Sequence, residues 1–146
     1  MPAAAQQVQR LDDSTSPRSR IQAQIDDSPL ARQRGPLVQV RFGRIEYRLA
    51  TAAYVGRKAR IYYFFPPAVA GLRSPAGVQL QWRGGHLFAD GVARPGERRQ
   101  VWTGVVREAW MSDGLDLSLE LDARQLQTLS GADLGFESYF EIEVLP

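Results

Sequence analysis

Strict alternation of apolar and polar residues runs through Leu115-Asp116-Leu117-Ser118-Leu119-Glu120-Leu121-Asp122. Side chains on a β-strand point to opposite faces with a period of two, so this stretch predicts a strand with one buried and one solvated face. The four leucines share the face that we expect to be buried. Antiparallel sheets produce this pattern, because they pack one face on a core and leave the other in water.

The same period of two recurs in several shorter runs downstream of Gly35-Pro36, at 38–42, 45–49, 78–82 and 136–144. The alternation changes parity at Gly43, which predicts a β-bulge. Residues 59–65 are apolar or aromatic on both faces, which predicts a central strand that ends at Pro66. Residues 111–114 end in Asp-Gly, which accepts the positive φ values of a type I′ turn, and so they predict a hairpin.

Short strands about ten residues apart, with no helical period between them, predict an all-β fold. We expect an antiparallel β-sandwich, immunoglobulin-like or jelly-roll-like, over residues 36–146. A small closed barrel is the alternative, since alternation does not distinguish the two. Residues 1–35 are rich in Gln, Asp, Ser and Arg and predict a flexible polar N-terminal tail. Within it, residues 20–26 alternate well enough to form a strand or short helix that docks on a sheet edge.

The residue types argue against most enzyme classes. Cysteine is absent, which excludes thiolate chemistry and Cys-ligated metal sites. His86 is the only imidazole, and no nucleophile or ligand set in the sequence points to it. Asp116, Glu120 and Asp122 share one strand face, but a solvated outer face accounts for them. We therefore predict no catalytic residue, no metal site and no cofactor.

Charge divides the chain in two. Residues 1–107 contain 17 Arg/Lys against 7 Asp/Glu, whereas residues 108–146 contain 1 against 9. The early strand with Arg41, Arg44 and Arg48 is therefore expected to complement the last strand, with Glu137, Glu141 and Glu143, within one domain or between copies. The cations are spread over many segments without a helical cluster or an RNA-binding aromatic motif, which disfavours nucleic acid as a partner.

The candidate binding residues lie in two segments. Arg57, Lys58 and Arg60 place three cations at the entry to the aromatic strand, where they can hold a phosphate, an anionic sugar or an acidic partner, or pair with the acidic strands of the chain itself. The long connection 66–77 contains Val69, Leu72 and Arg73, and either folds back on the body or forms a contact surface.

These features predict a non-catalytic binding or assembly module that works through protein–protein contacts, with another protein or with copies of itself. A carbohydrate-binding or other ligand-binding module is the alternative, and we expect it to need an exposed row of aromatic rings. No apolar run is long enough to span a membrane. The opening Met1-Pro2-Ala3-Ala4-Ala5 resembles what remains after cleavage of a signal sequence, so we expect a periplasmic or extracellular location, with the cytoplasm as the alternative.

Overall fold

Two antiparallel sheets form the protein. A computed structural model describes residues 8–13, 21–22, 37–74, 77–125 and 134–146. The strands in these ranges are β1 Val8–Arg10, β2 Ile21–Gln22, β3 Leu37–Ala50, β4 Lys58–Phe64, β5 Gln79–Gly84, β6 Gly91–Ala93, β7 Arg98–Val105, β8 Trp110–Asp122, β9 Gly135–Phe136 and β10 Tyr139–Val144. One sheet has the order β1-β10-β4-β7 and the other β3-β8-β5-β6, while β2 pairs with β9. The predicted all-β antiparallel sandwich is confirmed.

The core lies between the two four-stranded sheets. Leu115, Leu117, Leu119 and Leu121 are all buried, and Asp116 is exposed, so the predicted faces of this strand are confirmed. Burying a leucine side chain contributes about 1.5–3 kcal/mol. The alternating leucines of β8 therefore hold the second sheet against the first.

Aromatic rings join the two sheets at the centre of this core. The Phe140 ring of β10 lies 4.8 Å from both Tyr47 of β3 and Tyr63 of β4, between ring centroids. The hydroxyls of Tyr47 and Tyr63 are 2.7 Å apart and hydrogen-bonded across the interface between the sheets. Burial raises the pKa of both tyrosines, so both stay neutral and the buried pair adds no charge to the core.

The predicted bulge is confirmed. In the pairing of β3 with β8, the register shifts between Arg41 and Gly43, and Gly43 has a φ of 79°. Glycine reaches this left-handed region without the steric cost of a Cβ. The extra residue lets Val40 and Phe42 on one side, and Ile45 on the other, all point into the core.

The predicted hairpin at residues 111–114 is wrong. These residues lie inside β8, which runs unbroken from Trp110 to Asp122, and the chain instead reverses at 106–109. Gly114 has no positive φ, and the Asp113 side chain is buried instead of facing solvent at a turn. Asp113 instead contacts a loop that is distant in sequence. Local turn propensity does not predict such a contact.

Within the domain, the basic strand β3 does not pair with the final acidic strand, and the alternative that they complement each other between copies stays a prediction. Strand β3 pairs with β8, while β10 lies in the opposite sheet between β1 and β4. Charges still match within the domain, but with other partners: Arg60 lies 3.6 Å from Glu143 and Arg98 lies 3.6 Å from Glu141. Strand order sets which charges meet, and the order depends on contacts across the whole chain.

Residues 8–13 connect the edges of both sheets. Strand β1 extends the first sheet beside β10, and the Leu11 N–H donates to the Phe140 carbonyl at 2.8 Å. The Asp12 carbonyl accepts from Ala50 N–H of β3 at 2.9 Å, and Leu11 is 1% exposed. Ile21 and Gln22 form strand β2. Of the strand and the short helix predicted for residues 20–26, the structure therefore has a strand at these two positions. The other residues of the predicted tail, and its boundary at residue 35, lie outside the described residues.

Candidate functional site

The structure separates the predicted basic cluster into two parts. Arg60 lies on the outer face of β4 and forms an ion pair of 3.6 Å with Glu143, whose carboxylate also accepts a hydrogen bond from the Tyr62 hydroxyl. Arg57 and Lys58 stand at the start of β4 and are exposed. In the described parts of the chain, neither has a carboxylate within 4.0 Å. The intramolecular alternative thus accounts for Arg60 and leaves Arg57 and Lys58 available to a partner.

The second predicted segment lies at the opposite end of the domain. Residues 66–74 follow the last residue of β4, whereas Arg57 precedes its first. Val69 and Leu72 are 8% and 9% exposed and belong to the core, which supports the alternative that this connection folds back. Arg73 is exposed. The six predicted binding residues do not form one site.

A cleft opens beside the edge strand β7, next to Arg57 and Lys58. Its volume is about 480 Å³, and its lining includes Leu87, Trp102, Val105 and Met111. We call it the edge cleft. Val105 is the cross-strand partner of Lys58, and the Val106 N–H donates to the Arg57 carbonyl at 2.9 Å. The two cations therefore adjoin an apolar cleft.

Asp113 holds one wall of the edge cleft in place. Its buried carboxylate accepts hydrogen bonds of 2.8–3.3 Å from the backbone N–H groups of residues 85–88 and of Gly114. Burial raises the pKa of this carboxyl, but the N–H donors outweigh burial, and the pKa lies below the ordinary value. This carboxylate therefore supplies the acceptors that the loop backbone needs, and it positions His86 and Leu87 at the cleft.

His86 also contacts this carboxylate. Its Nδ1 atom lies 3.2 Å from Asp113 Oδ1, and its side chain is 75% exposed at the mouth of the edge cleft. Such a pair can orient an imidazole toward a ligand. No group of three or more His, Cys, Asp or Glu within the described ranges could hold a metal ion.

Charged side chains of both signs surround the edge cleft. Arg107 and Glu108 line it, and Arg107 together with the adjoining Arg57 and Lys58 forms what we call the basic rim. None of the three is within 4.0 Å of a carboxylate among the residues that the structure describes. Val55 and Val105, at the same end of the sandwich, are 48% and 39% exposed. The arrangement can receive an acidic segment with an apolar side chain.

Sequence reasoning found Arg57 and Lys58 but missed the cleft beside them. Its walls come from residues 86–87, 102–108 and 111–112, which the fold brings together. Trp102 has the spacing of a core residue, and Asp113 has the context of a turn. The one available signal was the cluster of cations at the entry to β4.

Comparison with known proteins identifies no relative. No known family model matches the chain, and no curated protein matches it. Among solved structures it is similar to an RmlC-like cupin protein from Ralstonia eutropha, at 14% identity over 99% of this chain and 73% of that chain, with a TM-score of 0.18. This similarity is too low to support a conclusion on function. No helix in the described residues is long and apolar enough to cross a membrane.

Proposed function

We propose that this chain is a non-catalytic binding module that works through protein–protein contacts at the edge cleft. The observation that supports the proposal is a partly apolar cleft, lined by Trp102 and Met111 but also by Glu108, beside three cations that have no carboxylate within 4.0 Å in the described chain. The ligand is an acidic segment with an apolar or aromatic side chain, supplied by another protein or by a second copy.

Two physical arguments support this ligand. An apolar side chain that enters a cleft beside a tryptophan loses contact with water, and such buried anchors dominate binding energy in protein interfaces. Carboxylates near Arg57, Lys58 and Arg107 gain charge-assisted hydrogen bonds, which are stronger than neutral ones. A cleft of about 480 Å³ holds one or two side chains. We therefore expect a small, transient contact and not a permanent interface.

A charge reversal tests the proposal on the full chain. Lys58→Glu/Arg107→Glu changes two exposed residues of the rim and spares Arg60, whose pair with Glu143 helps to hold β4 to β10. Arg73→Glu/Arg94→Glu is the matched control, because both arginines are exposed and lie at the other end of the sandwich. Circular dichroism checks that each variant is folded.

Two measurements cover the two sources of ligand. Light scattering after size exclusion compares the mass with 16.3 kDa at low salt and at about 0.5 M, where exposed charges are screened. Selection from a phage-displayed library of random peptides tests binding to other chains. We expect self-association or enrichment of acidic peptides with apolar anchors, lost in the rim variant and retained in the control. A monomer that enriches no such peptide, or a rim variant that binds like wild type, would refute the proposal.

We also propose a periplasmic or extracellular location. The absence of cysteine is compatible with an oxidising compartment and equally with the cytosol, so an experiment has to decide the location. Fractionation of cells that make the native protein, with marker enzymes for each compartment, tests this. Recovery with the cytoplasmic markers alone would contradict it.

A further inference from the structure

A second candidate site covers the outer face of the β3-β8-β5-β6 sheet. A trough of about 790 Å³ lies across it, and hydrogen-bonding side chains from three adjacent strands and a nearby loop line it. We call these residues the polar face: Gln39, Arg41, Gln81, Arg83, Asp90, Asp116 and Ser118. From this geometry we propose that the polar face binds a neutral polysaccharide chain.

The polar groups are arranged in rows across the strands. Arg41, Ser118 and Gln81 are successive cross-strand partners, and Asp116 pairs with Arg83 in a neighbouring row. Side chains directly opposite on one face are about 5 Å apart. Because all of them stand on a rigid sheet, a bound ligand meets donors and acceptors in fixed positions.

Two glycines also line the trough, Gly43 at the bulge and Gly91 at the start of β6. A Cβ at Gly91 would overlap the ring of its cross-strand partner Trp82, which is buried on the core side of the sheet, so this glycine makes room for Trp82.

Several donors on this face have no internal partner. Within the described ranges, the side chains of Arg41, Gln81 and Arg83 make no hydrogen bond, and neither arginine has a carboxylate within 4.0 Å. Gln39 Nε2 donates to Ser118 Oγ at 3.4 Å. A ligand with many hydroxyl groups can satisfy these donors and also donate to the Asp116 carboxylate.

Charge balance selects a neutral ligand. The lining contains two arginines and two aspartates, so neither an anion nor a cation gains a net attraction. The polar face thereby differs from the edge cleft, whose rim is basic. Guanidinium, amide and carboxylate groups in alternation match the alternating donors and acceptors of sugar hydroxyls.

The volume of the trough, about 790 Å³, is several times that of one sugar ring, which favours a chain over a single sugar. On β8 the trough covers residues 116–118, and beyond it the Arg44 side chain lies over Gly114 and separates the trough from Trp110. Trp110 is 40% exposed, and the Arg48 guanidinium stacks on its ring at 4.5 Å. The exposed row of aromatic rings that we expected of a carbohydrate-binding module is not found in the trough among the described residues, since Trp82 is 3% exposed, and the proposal departs from that expectation. Binding there rests on hydrogen bonds, and we expect a dissociation constant of about 0.1–1 mM.

Affinity electrophoresis of the full chain tests this inference. The probes are dextran, hydroxyethylcellulose, arabinoxylan, galactomannan and laminarin, each cast into a native gel, with heparin as the charged comparison. Gln81→Ala removes one donor and acceptor of the polar face. Gln100→Ala is the matched control, because Gln100 is an exposed glutamine of the other sheet.

We expect at least one neutral polymer to retard the wild-type chain, with about two- to tenfold weaker retardation for Gln81→Ala and none of this loss for Gln100→Ala. Retardation should persist at about 0.5 M salt, because no net charge drives it. The inference is overturned if no neutral polymer retards the protein, if both glutamine variants behave alike, or if only heparin binds. None of these outcomes bears on the edge cleft, which shares no residue with the polar face.

Discussion

Replacing Leu11 by alanine is expected to destabilise the protein, although the residue lies in a segment whose composition predicts a flexible tail. Leu11 is 1% exposed, and its N–H donates to the Phe140 carbonyl at 2.8 Å. The next residue, Asp12, accepts from Ala50 in the other sheet. Leu11 therefore closes the side of the sandwich where β10 and β3 approach each other, and its side chain belongs to the core.

The magnitude follows from burial. Replacing a buried leucine by alanine costs about 2–5 kcal/mol, and less where the surroundings can collapse into the space. Leu11 lies near the chain terminus at a sheet edge, so we expect a loss of about 2–3 kcal/mol. For a domain of 146 residues, each kcal/mol lowers the melting temperature by about 4 °C. The expected decrease is therefore about 8–12 °C.

Urea unfolding followed by tryptophan fluorescence measures the change. Leu37→Ala is the matched control, because Leu37 is 46% exposed at the start of β3 and should cost less than about 0.5 kcal/mol. If the two variants have the same free energy of unfolding within about 0.5 kcal/mol, residues 8–13 do not stabilise the sandwich, and the inference from Leu11 burial is refuted.

Three further outcomes can be measured by the same unfolding assay. Asp113→Ala should lower the free energy of unfolding by about 3 kcal/mol or more, because the N–H groups of residues 85–88 lose their acceptor. Folding lowers the pKa of Asp113, so the stabilisation that this carboxylate provides should be complete above about pH 4 and decline as the pH falls further. Burial raises the pKa of Asp13 above 3.8, against the opposing charge of Arg10, so the ionised form is the unfavourable one. Asp13→Asn should therefore be more stable than wild type at neutral pH, by a margin that shrinks as the pH falls towards 3.8 and is lost below that value. Leu119→Ala should cost about 2–5 kcal/mol and Glu120→Ala less than about 0.5, and equal costs would contradict the assignment of faces on β8.

The edge cleft shows how far a candidate site can be recognised from sequence. Arg57 and Lys58 were identifiable because they are consecutive cations beside a strand of aromatic residues. Trp102, Leu87 and Met111 were not, since each has the spacing of an ordinary core residue and they meet only when β7, β8 and the 84–90 loop are assembled. The polar face was hidden for the same reason: Arg41, Ser118 and Gln81 become neighbours through strand pairing.

Local pattern was sufficient for the class of fold, for the buried face of β8 and for the bulge at Gly43. Each of these depends on residues a few positions apart, whose alternation or backbone freedom acts whatever the rest of the chain does. Strand order, the partners of the charged strands and the role of Asp113 depended on the assembled sandwich. Asp113 binds backbone groups 25–28 residues away, and no short-range propensity reports such a contact, because its free energy is gained only after the two segments have been brought together.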